Sequence, residues 1–315
     1  MRVLVAEPLG QAGLDRLETE HQVDVRLGLA RADFLAALPE YEALVVRSQM
    51  KVDAEAIAAG TRLKVVGRAG VGVDNIDVDA ATNAGIAVVN APTANTLAAA
   101  EHTMALILAL TRNVAAADAS MRRGEWRRAD FVGSELSGKT LGIVGLGRVG
   151  LALADRAKSF EMTLLGSDPI TSFAVAEAHA VRLVELDALL EQADIVTIHV
   201  PLVAATRGLI DAGRLALMKT GALIVNVARG GIVDEAALAD ALGSGQIGGA
   251  AIDVFEHEPV KDTPLLNAPH TVLTPHLGAS TAEAQDRASL EVVEGVLDVL
   301  ADRPATFQVN RPSGA

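Results

Sequence analysis

Cysteine is absent from the 315 residues, so disulfides, zinc–thiolate sites and thiol nucleophiles are excluded together. That absence fits a reducing cytoplasm, the compartment expected here, and no metal site is expected. Basic residues are outnumbered: 27 Lys and Arg face 40 Asp and Glu, a net charge of −13. Such a balance argues against nucleic acid or an anionic membrane as the main partner, although a locally basic cleft still accommodates a small anion. Long apolar runs are lacking as well. The longest, residues 104–110, is far too short to span a bilayer. Residues 1–6 enter a strand pattern at once, without the charged and apolar regions of a secretory signal. No fixed-period repeat or low-complexity segment is present.

What is there is a chain half apolar, in which short Val-, Ile- and Leu-rich runs alternate with alanine-rich helical stretches. The runs at 3–6, 23–25, 43–46, 64–66, 87–89, 140–144, 163–165, 195–198, 222–227, 249–253 and 271–274 read as strands. Helical patterns at 11–19, 149–160, 184–192 and 234–244 separate some of them. Continuous apolar strands joined by helices give parallel sheets covered on both faces. A long helix is expected over 97–121, apolar on nearly all sides and therefore buried in a core or a subunit contact. A second is expected over 281–300, returning to a short stretch at 306–309. The fold class is α/β: two Rossmann-like or flavodoxin-like domains with parallel sheets, the nucleotide domain (98–285) inserted into a substrate domain (1–97 and 286–315). Hinges near Leu97 and Gln285 would leave a cleft.

The nucleotide site rests on Gly145-Leu146-Gly147-Arg148-Val149-Gly150 after an apolar strand and before a helix. Gly145 permits the tight turn, Gly147 lets backbone approach a pyrophosphate, and Gly150 packs helix on sheet. The helix N-terminus offers amides and a positive dipole end to phosphates. By itself the hexapeptide also suits a packing turn. Asp168 stands 18 residues past Gly150, at the end of the next strand. A carboxylate there accepts ribose hydroxyls and repels a 2′-phosphate, favouring NAD over NADP. Asp168 also suits a turn before Pro169, and the nearby Arg148 could tolerate a phosphate.

Three further segments place an ionisable residue at a strand end, where ligands bind in open parallel sheets. Arg229, beside Gly230 and Gly231, offers a planar fork for a carboxylate. Glu258 precedes Pro259, and His276 follows Pro275. Moving a hydride from an alcohol carbon needs a base for the hydroxyl proton, a role that suits His. A paired carboxylate would fix its tautomer, and a guanidinium would hold the substrate. Arg229, Glu258 and His276 match those needs, though each alone also has a structural reading. His199, ending a strand with Val200 and Pro201, is placed at the cofactor cleft. His102 suits a buried helix or interface; His21, His179 and His270 read as surface or loop residues, and His257 as a decoy beside Glu258.

These segments, with Val45-Val46-Arg47-Ser48, Gly67-Arg68-Ala69-Gly70-Val71-Gly72-Val73-Asp74-Asn75-Ile76-Asp77 and Asn90-Ala91-Pro92-Thr93-Ala94-Asn95-Thr96, resemble the D-isomer-specific 2-hydroxyacid dehydrogenases over nearly the whole chain. The resemblance implies Arg229 as the substrate-binding catalytic Arg, Glu258 as partner of the His, and His276 as acid/base. NAD contacts are implied for Gly145, Gly147, Arg148, Val149, Gly150, Asp168, His199, Val200, Pro201, Val227, Ala228, Arg229, Asp253, His276, Gly278 and Ala279. For substrate it implies Ser48, Gly70, Val71, Gly72 and Asn95, with Arg47, Arg68 and Arg128 facing a phosphate.

Within the family the resemblance is nearest to the branch that oxidises D-3-phosphoglycerate on the way to serine. The basic segment Met121-Arg122-Arg123-Gly124-Glu125-Trp126-Arg127-Arg128 fits phosphate capture, or else a solvated helix end complementing the dipole. A glyoxylate or hydroxypyruvate reductase is the alternative, and a non-catalytic NAD-sensing dimer a further one. The expected partner is a small 2-hydroxy or 2-oxo acid, phosphorylated in the first reading, acting on a homodimer or tetramer. Val71 stands where a Thr often occurs and Ala94 where a Gly does. Longer members carry C-terminal domains that bind serine, and no regulation of that kind is expected.

Overall fold

Strands apolar on both faces must be covered on both, and parallel pairing obliges each connection to cross over, usually as a helix. The computed structural model describes residues 1–312 and separates into two compact units. Unit 1 is Met1–Asn95 together with the segment from Ala279 onward, and unit 2, Thr96–Gly278, is inserted between them.

In unit 1, β1 (Arg2–Val5), β2 (Gln22–Val25), β3 (Ala43–Val46), β4 (Val65–Arg68) and β5 (Ala87–Asn90) pair in parallel. Their order, β2-β1-β3-β4-β5, is the flavodoxin-like one. One face is covered by the helix Ala282–Leu300, whose Val292, Val293, Val296 and Leu297 join Val3, Val5, Val45, Val65 and Val89 in one cluster. Gly67 on β4 permits that approach, since a Cβ there would lie 2.7 Å from Val296. The sequence pattern puts the second boundary at Gln285. It falls before Ala279 instead, because Ala282–Leu300 is one unbroken helix belonging to unit 1. In the stretch 306–309, Gln308 makes an isolated antiparallel bridge to Val89. Asn310 follows it, accepting the Val88 N–H at 2.8 Å and donating to the Ile86 carbonyl at 2.9 Å. His21 lies in the bend before β2, as expected of a loop residue, but it is partly buried: both ring nitrogens are covered, and burial lowers its pKa.

In unit 2, β6 (Thr140–Val144), β7 (Thr163–Ser167), β8 (Val181–Leu183), β9 (Ile195–Ile198), β10 (Ala222–Asn226), β11 (Ile247–Ile252) and β12 (Thr271–Leu273) form one parallel sheet. The order β12-β11-β10-β9-β6-β7-β8 reverses direction between β6 and β9, the topological switch point where dinucleotide folds bind. The single helix expected over 97–121 is two, Thr96–Thr111 and Val114–Arg122, bent by 64°. Asn113 makes the break with φ +54°, a left-handed conformation that Asn tolerates. The first helix buries Ala100, Met104, Ile107 and Leu110 against Leu141, Ile143, Val225 and Ala251. Its all-round apolarity is thus used largely inside its own unit. No single helix among the described residues is long and apolar enough to cross a membrane.

Asn310→Ala should leave the Val88 N–H and Ile86 carbonyl without partners in a buried place. A loss of about 1–3 kcal/mol is expected, read from the urea unfolding midpoint.

Candidate active site

All seven strands of unit 2 run the same way, so the segments that follow them share one edge of the sheet. That edge carries Gly145–Gly150 after β6, Asp168 after β7, His199 after β9, Arg229 after β10, and the Glu258 and His276 loops after β11 and β12.

The three fingerprint glycines have different reasons to be glycine. Gly145 has φ +96°, and a Cβ on it would lie 2.8 Å from the His199 carbonyl carbon. A Cβ on Gly150 would meet the Gly145 oxygen at 2.1 Å. Packing accounts for both. Gly147 has φ −71° and open space where a Cβ would stand. It caps the helix Arg148–Lys158 with no side-chain hydrogen bond, leaving first-turn amides available to an anion. An open backbone cradle at a helix start fits a pyrophosphate.

Asp168 accepts from the Leu146, Ile170 and Thr171 amides, each at 2.8 Å. Burial alone would raise its pKa; the Ile170, Leu146 and Thr171 N–H groups outweigh it and hold the carboxyl below its ordinary range. Asp168 therefore shapes its turn and ties it to the glycine loop, and an ionised carboxylate keeps acceptor capacity for a ribose hydroxyl. His199 donates its backbone N–H to Val144 at 2.7 Å. Burial pushes its ring down to about 4, and Nε2 has no partner among the described residues. A neutral, buried imidazole is unsuited to acid–base work at neutral pH.

Buried Asn226 sets the turn that carries Arg229, its Oδ1 accepting from Ala228 N (3.0 Å) and its Nδ2 donating to the Arg229 carbonyl (2.9 Å). Arg229 donates from Nη1 to the Ala228 carbonyl at 2.7 Å. The neighbouring Gly230 is there for a close approach: a Cβ would fall 1.9 Å from the Phe255 oxygen. The Arg229 turn thus lies directly on the Glu258 loop.

Glu258 Oε1 accepts from Phe255 N at 3.0 Å, and its Oε2 meets His276 Nδ1 at 2.7 Å. Burial would raise the Glu258 pKa, but the His276 contact and the Phe255 N–H lower it, and the carboxylate form prevails. His276 has φ +56°, sparsely populated for a side chain of its kind, while its ring remains about half exposed. Asp253, with no exposed surface, accepts from Thr274 Oγ1 (2.6 Å), Leu277 N (2.7 Å) and Gly278 N (2.9 Å) and is met by His102 Nε2 at 3.2 Å. Burial raises the Asp253 pKa; the His102 and Thr274 side chains and the two amides more than offset this and lower it.

Unit 1 carries the other candidates at the matching end of its own sheet. Glu7, after β1, accepts from Arg47 N (2.7 Å), Gln49 N and Met50 N (both 3.0 Å). Asn75 donates to the Arg47 and Met50 carbonyls. Arg47 and Ser48 thus stand on a fixed loop. The Arg68 guanidinium lies across Gly70, where a Cβ would be 2.0 Å from Nη1. Asn90 donates to the Val71 carbonyl, which holds the Gly70–Gly72 segment, and Asn95 ends the first part of the unit. In the basic segment of unit 2, Arg122, Arg123 and Arg127 pair with Asp118, Glu125 and Asp130. Arg128 opens the exposed turn Arg128–Phe131. Reading the sequence missed Glu7, Asn75, Asn226 and Glu235. Glu235 accepts from Glu256 N (2.7 Å) and Thr263 Oγ1 (2.5 Å) and so steadies the Glu258 loop. Glu7, Asn75 and Glu235 act on groups far along the chain, which no local spacing announces, whereas Asn226 bonds its own turn, a local signal of the kind Asn gives in turns.

Residues 104–278 match the family described as D-isomer specific 2-hydroxyacid dehydrogenase, NAD binding domain. The chain is 49% identical over 315 residues to D-3-phosphoglycerate dehydrogenase of Archaeoglobus fulgidus, covering 99% of this chain and 60% of that one. It thus spans 50–60% of the length of the curated relatives it matches. Among solved structures, the TT0316 protein of Thermus thermophilus is 36% identical with a TM-score of 0.91, covering 98% of this chain and 100% of that one. A glyoxylate reductase from Paecilomyes thermophila is 32% identical, with a TM-score of 0.89 and 98% of both chains covered.

Gly147→Ala should melt at the temperature of the parent yet bind NADH about tenfold more weakly, read by fluorescence titration. Gly230→Ala should instead lower stability by about 1–3 kcal/mol, read from a thermal melt.

Proposed function

The chain belongs to the D-isomer specific 2-hydroxyacid dehydrogenases, and from that premise we propose that it oxidises D-3-phosphoglycerate to 3-phosphohydroxypyruvate with NAD, the opening step toward L-serine. The observation that carries the chemistry is the 2.7 Å contact of His276 Nδ1 with Glu258. With Nδ1–H donated to that carboxylate, Nε2 presents its lone pair and takes the C2 hydroxyl proton. Glu258 stabilises the resulting imidazolium. Arg229 binds the substrate carboxylate and polarises C2–O through its fork. A bound nicotinamide would supply the hydride acceptor for C2, and in the reverse direction His276 would give the proton back to the substrate oxygen.

The first-turn amides of Arg148–Lys158 would hold the pyrophosphate, and Asp168 the adenosine ribose. Unit 1 is the substrate domain in this reading: the Gly70–Gly72 amides and Asn95 meet the carboxylate, and Arg47 and Arg68, with Arg128, the phosphate. The preference for a phosphorylated acid is supported by the names of the relatives and by Arg47 and Arg68, which stand at the ends of the adjacent strands β3 and β4. A glyoxylate or hydroxypyruvate reductase is the second reading, favoured by the likeness to the glyoxylate reductase of Paecilomyes thermophila. Val114, Met121, Trp126 and Val132 are apolar and exposed, Trp126 to 81%; they are read as supporting a homodimer in the cytoplasm, and light scattering on a sizing column tests it.

His276→Ala and Glu258→Gln should each lower turnover by roughly 10²–10⁴-fold, with NADH affinity little changed. Turnover that survives His276→Ala removes the assigned chemistry. Arg128→Ala should raise KM for phosphohydroxypyruvate about tenfold or more and leave glyoxylate reduction alone. Equal effects on both substrates favour the second reading.

A further inference from the structure

His102 lies on the helix Thr96–Thr111, far along the chain from the catalytic loop, and nothing in the proposed chemistry uses it. Its Nε2 stands 3.2 Å from Asp253 Oδ1 and 3.3 Å from Thr274 Oγ1. Thr274 itself bonds the same Oδ1 at 2.6 Å. A carboxylate oxygen only accepts, so the ring nitrogen facing it is the N–H.

His276 occupies a left-handed backbone conformation, φ +56°, and such a residue persists only when its surroundings over-determine it. Asp253 supplies most of that determination. Its carbonyl accepts the His276 N–H at 2.8 Å, its Oδ1 accepts from Leu277 and its Oδ2 from Gly278. Three successive amides of the loop therefore end on one residue. A carboxylate can keep those bonds only if its plane is fixed, and on Oδ1 the fixing donors from outside the loop tip are Thr274 Oγ1 and His102 Nε2.

We propose that His102 is a positioning residue: with Thr274 it locks the Asp253 carboxylate, which holds residues 276–278 so that the His276 imidazole faces Glu258. The reading of His276 as acid/base is presupposed only by the kinetic part of the test.

The variants are His102→Leu, which removes the donor, and His102→Gln, whose amide nitrogen reaches about where Nε2 stands. Thr274→Val removes the companion donor and serves if His102→Leu does not fold. The first readout needs no turnover: the imidazole ¹⁵N resonances of His276, identified by their absence from His276→Asn. In His102→Leu or Thr274→Val the Nδ1 resonance bonded to Glu258 should shift or broaden, and in His102→Gln it should return. The second is kinetics with NADH and phosphohydroxypyruvate, where the Leu variant should lose roughly ten- to hundredfold in kcat with KM for NADH near the parent's, and Gln should restore most of it. Unchanged His276 resonances in a folded Leu or Val variant overturn the proposal, as does a Gln variant no better than Leu, which would mean packing alone. If the parent reduces no 2-oxo acid, the dehydrogenase reading fails, and the resonances by themselves still decide the role of His102.

Discussion

Asp253 has no contact with solvent, and an ionised carboxylate so placed is tolerable only when its lone pairs are taken up. Two side chains and two backbone amides do so, and their combined effect outweighs burial and keeps the group ionised. The linkage has a definite sign. A carboxyl whose folded pKa lies below its unfolded one contributes stability above the unfolded value, and that contribution is lost as pH falls through the folded one. The same residue therefore serves the fold and the geometry of the loop that carries His276. Acidification attacks both together.

A second constraint comes from backbone meeting backbone. Gly230 touches the Phe255 carbonyl, and Gly145 touches the His199 carbonyl carbon, at distances no side chain would allow. The Arg229 turn is thereby seated on the Glu258 loop, and the nucleotide loop on the end of β9. Loops of a parallel sheet are often regarded as independent decorations on a rigid frame. Here they are stitched to one another, and Glu235 adds a further stitch from the start of its helix to Glu256 and Thr263. Precise placement of the Arg229, Glu258 and His276 set is thus a property of several loops acting as one body.

The parallel sheets were legible because β-branched runs with two apolar faces have few other uses, and the glycine fingerprint because its spacing encodes a turn. The strand β8 was not, since three residues with Arg182 among them carry too little pattern. The break at Asn113 was missed because neither Gly nor Pro marks it; Asn adopts the left-handed region without that signal. Arg229, Glu258 and His276 could be selected by type and strand-end position, but the need for glycine at 230 could not, because it is set by the Phe255 carbonyl on a distant loop. His102 looked like a core or interface residue, since the neighbours that give it purpose lie about 150 and 170 positions away.

The insertion of Thr96–Gly278 into unit 1 has a consequence for biogenesis. Synthesis proceeds from the N- to the C-terminal side at roughly 5–20 residues per second, so the five strands of unit 1 leave the ribosome long before the helix that covers them. Val3, Val5, Val45, Val65 and Val89 wait for Val292, Val293 and Val296, while all of unit 2 is made in between. The later domain in sequence order can thus mature first, and the earlier one remains an adhesive half-core through that interval. Nascent chains stalled near Gly278 would be the form most in need of a chaperone.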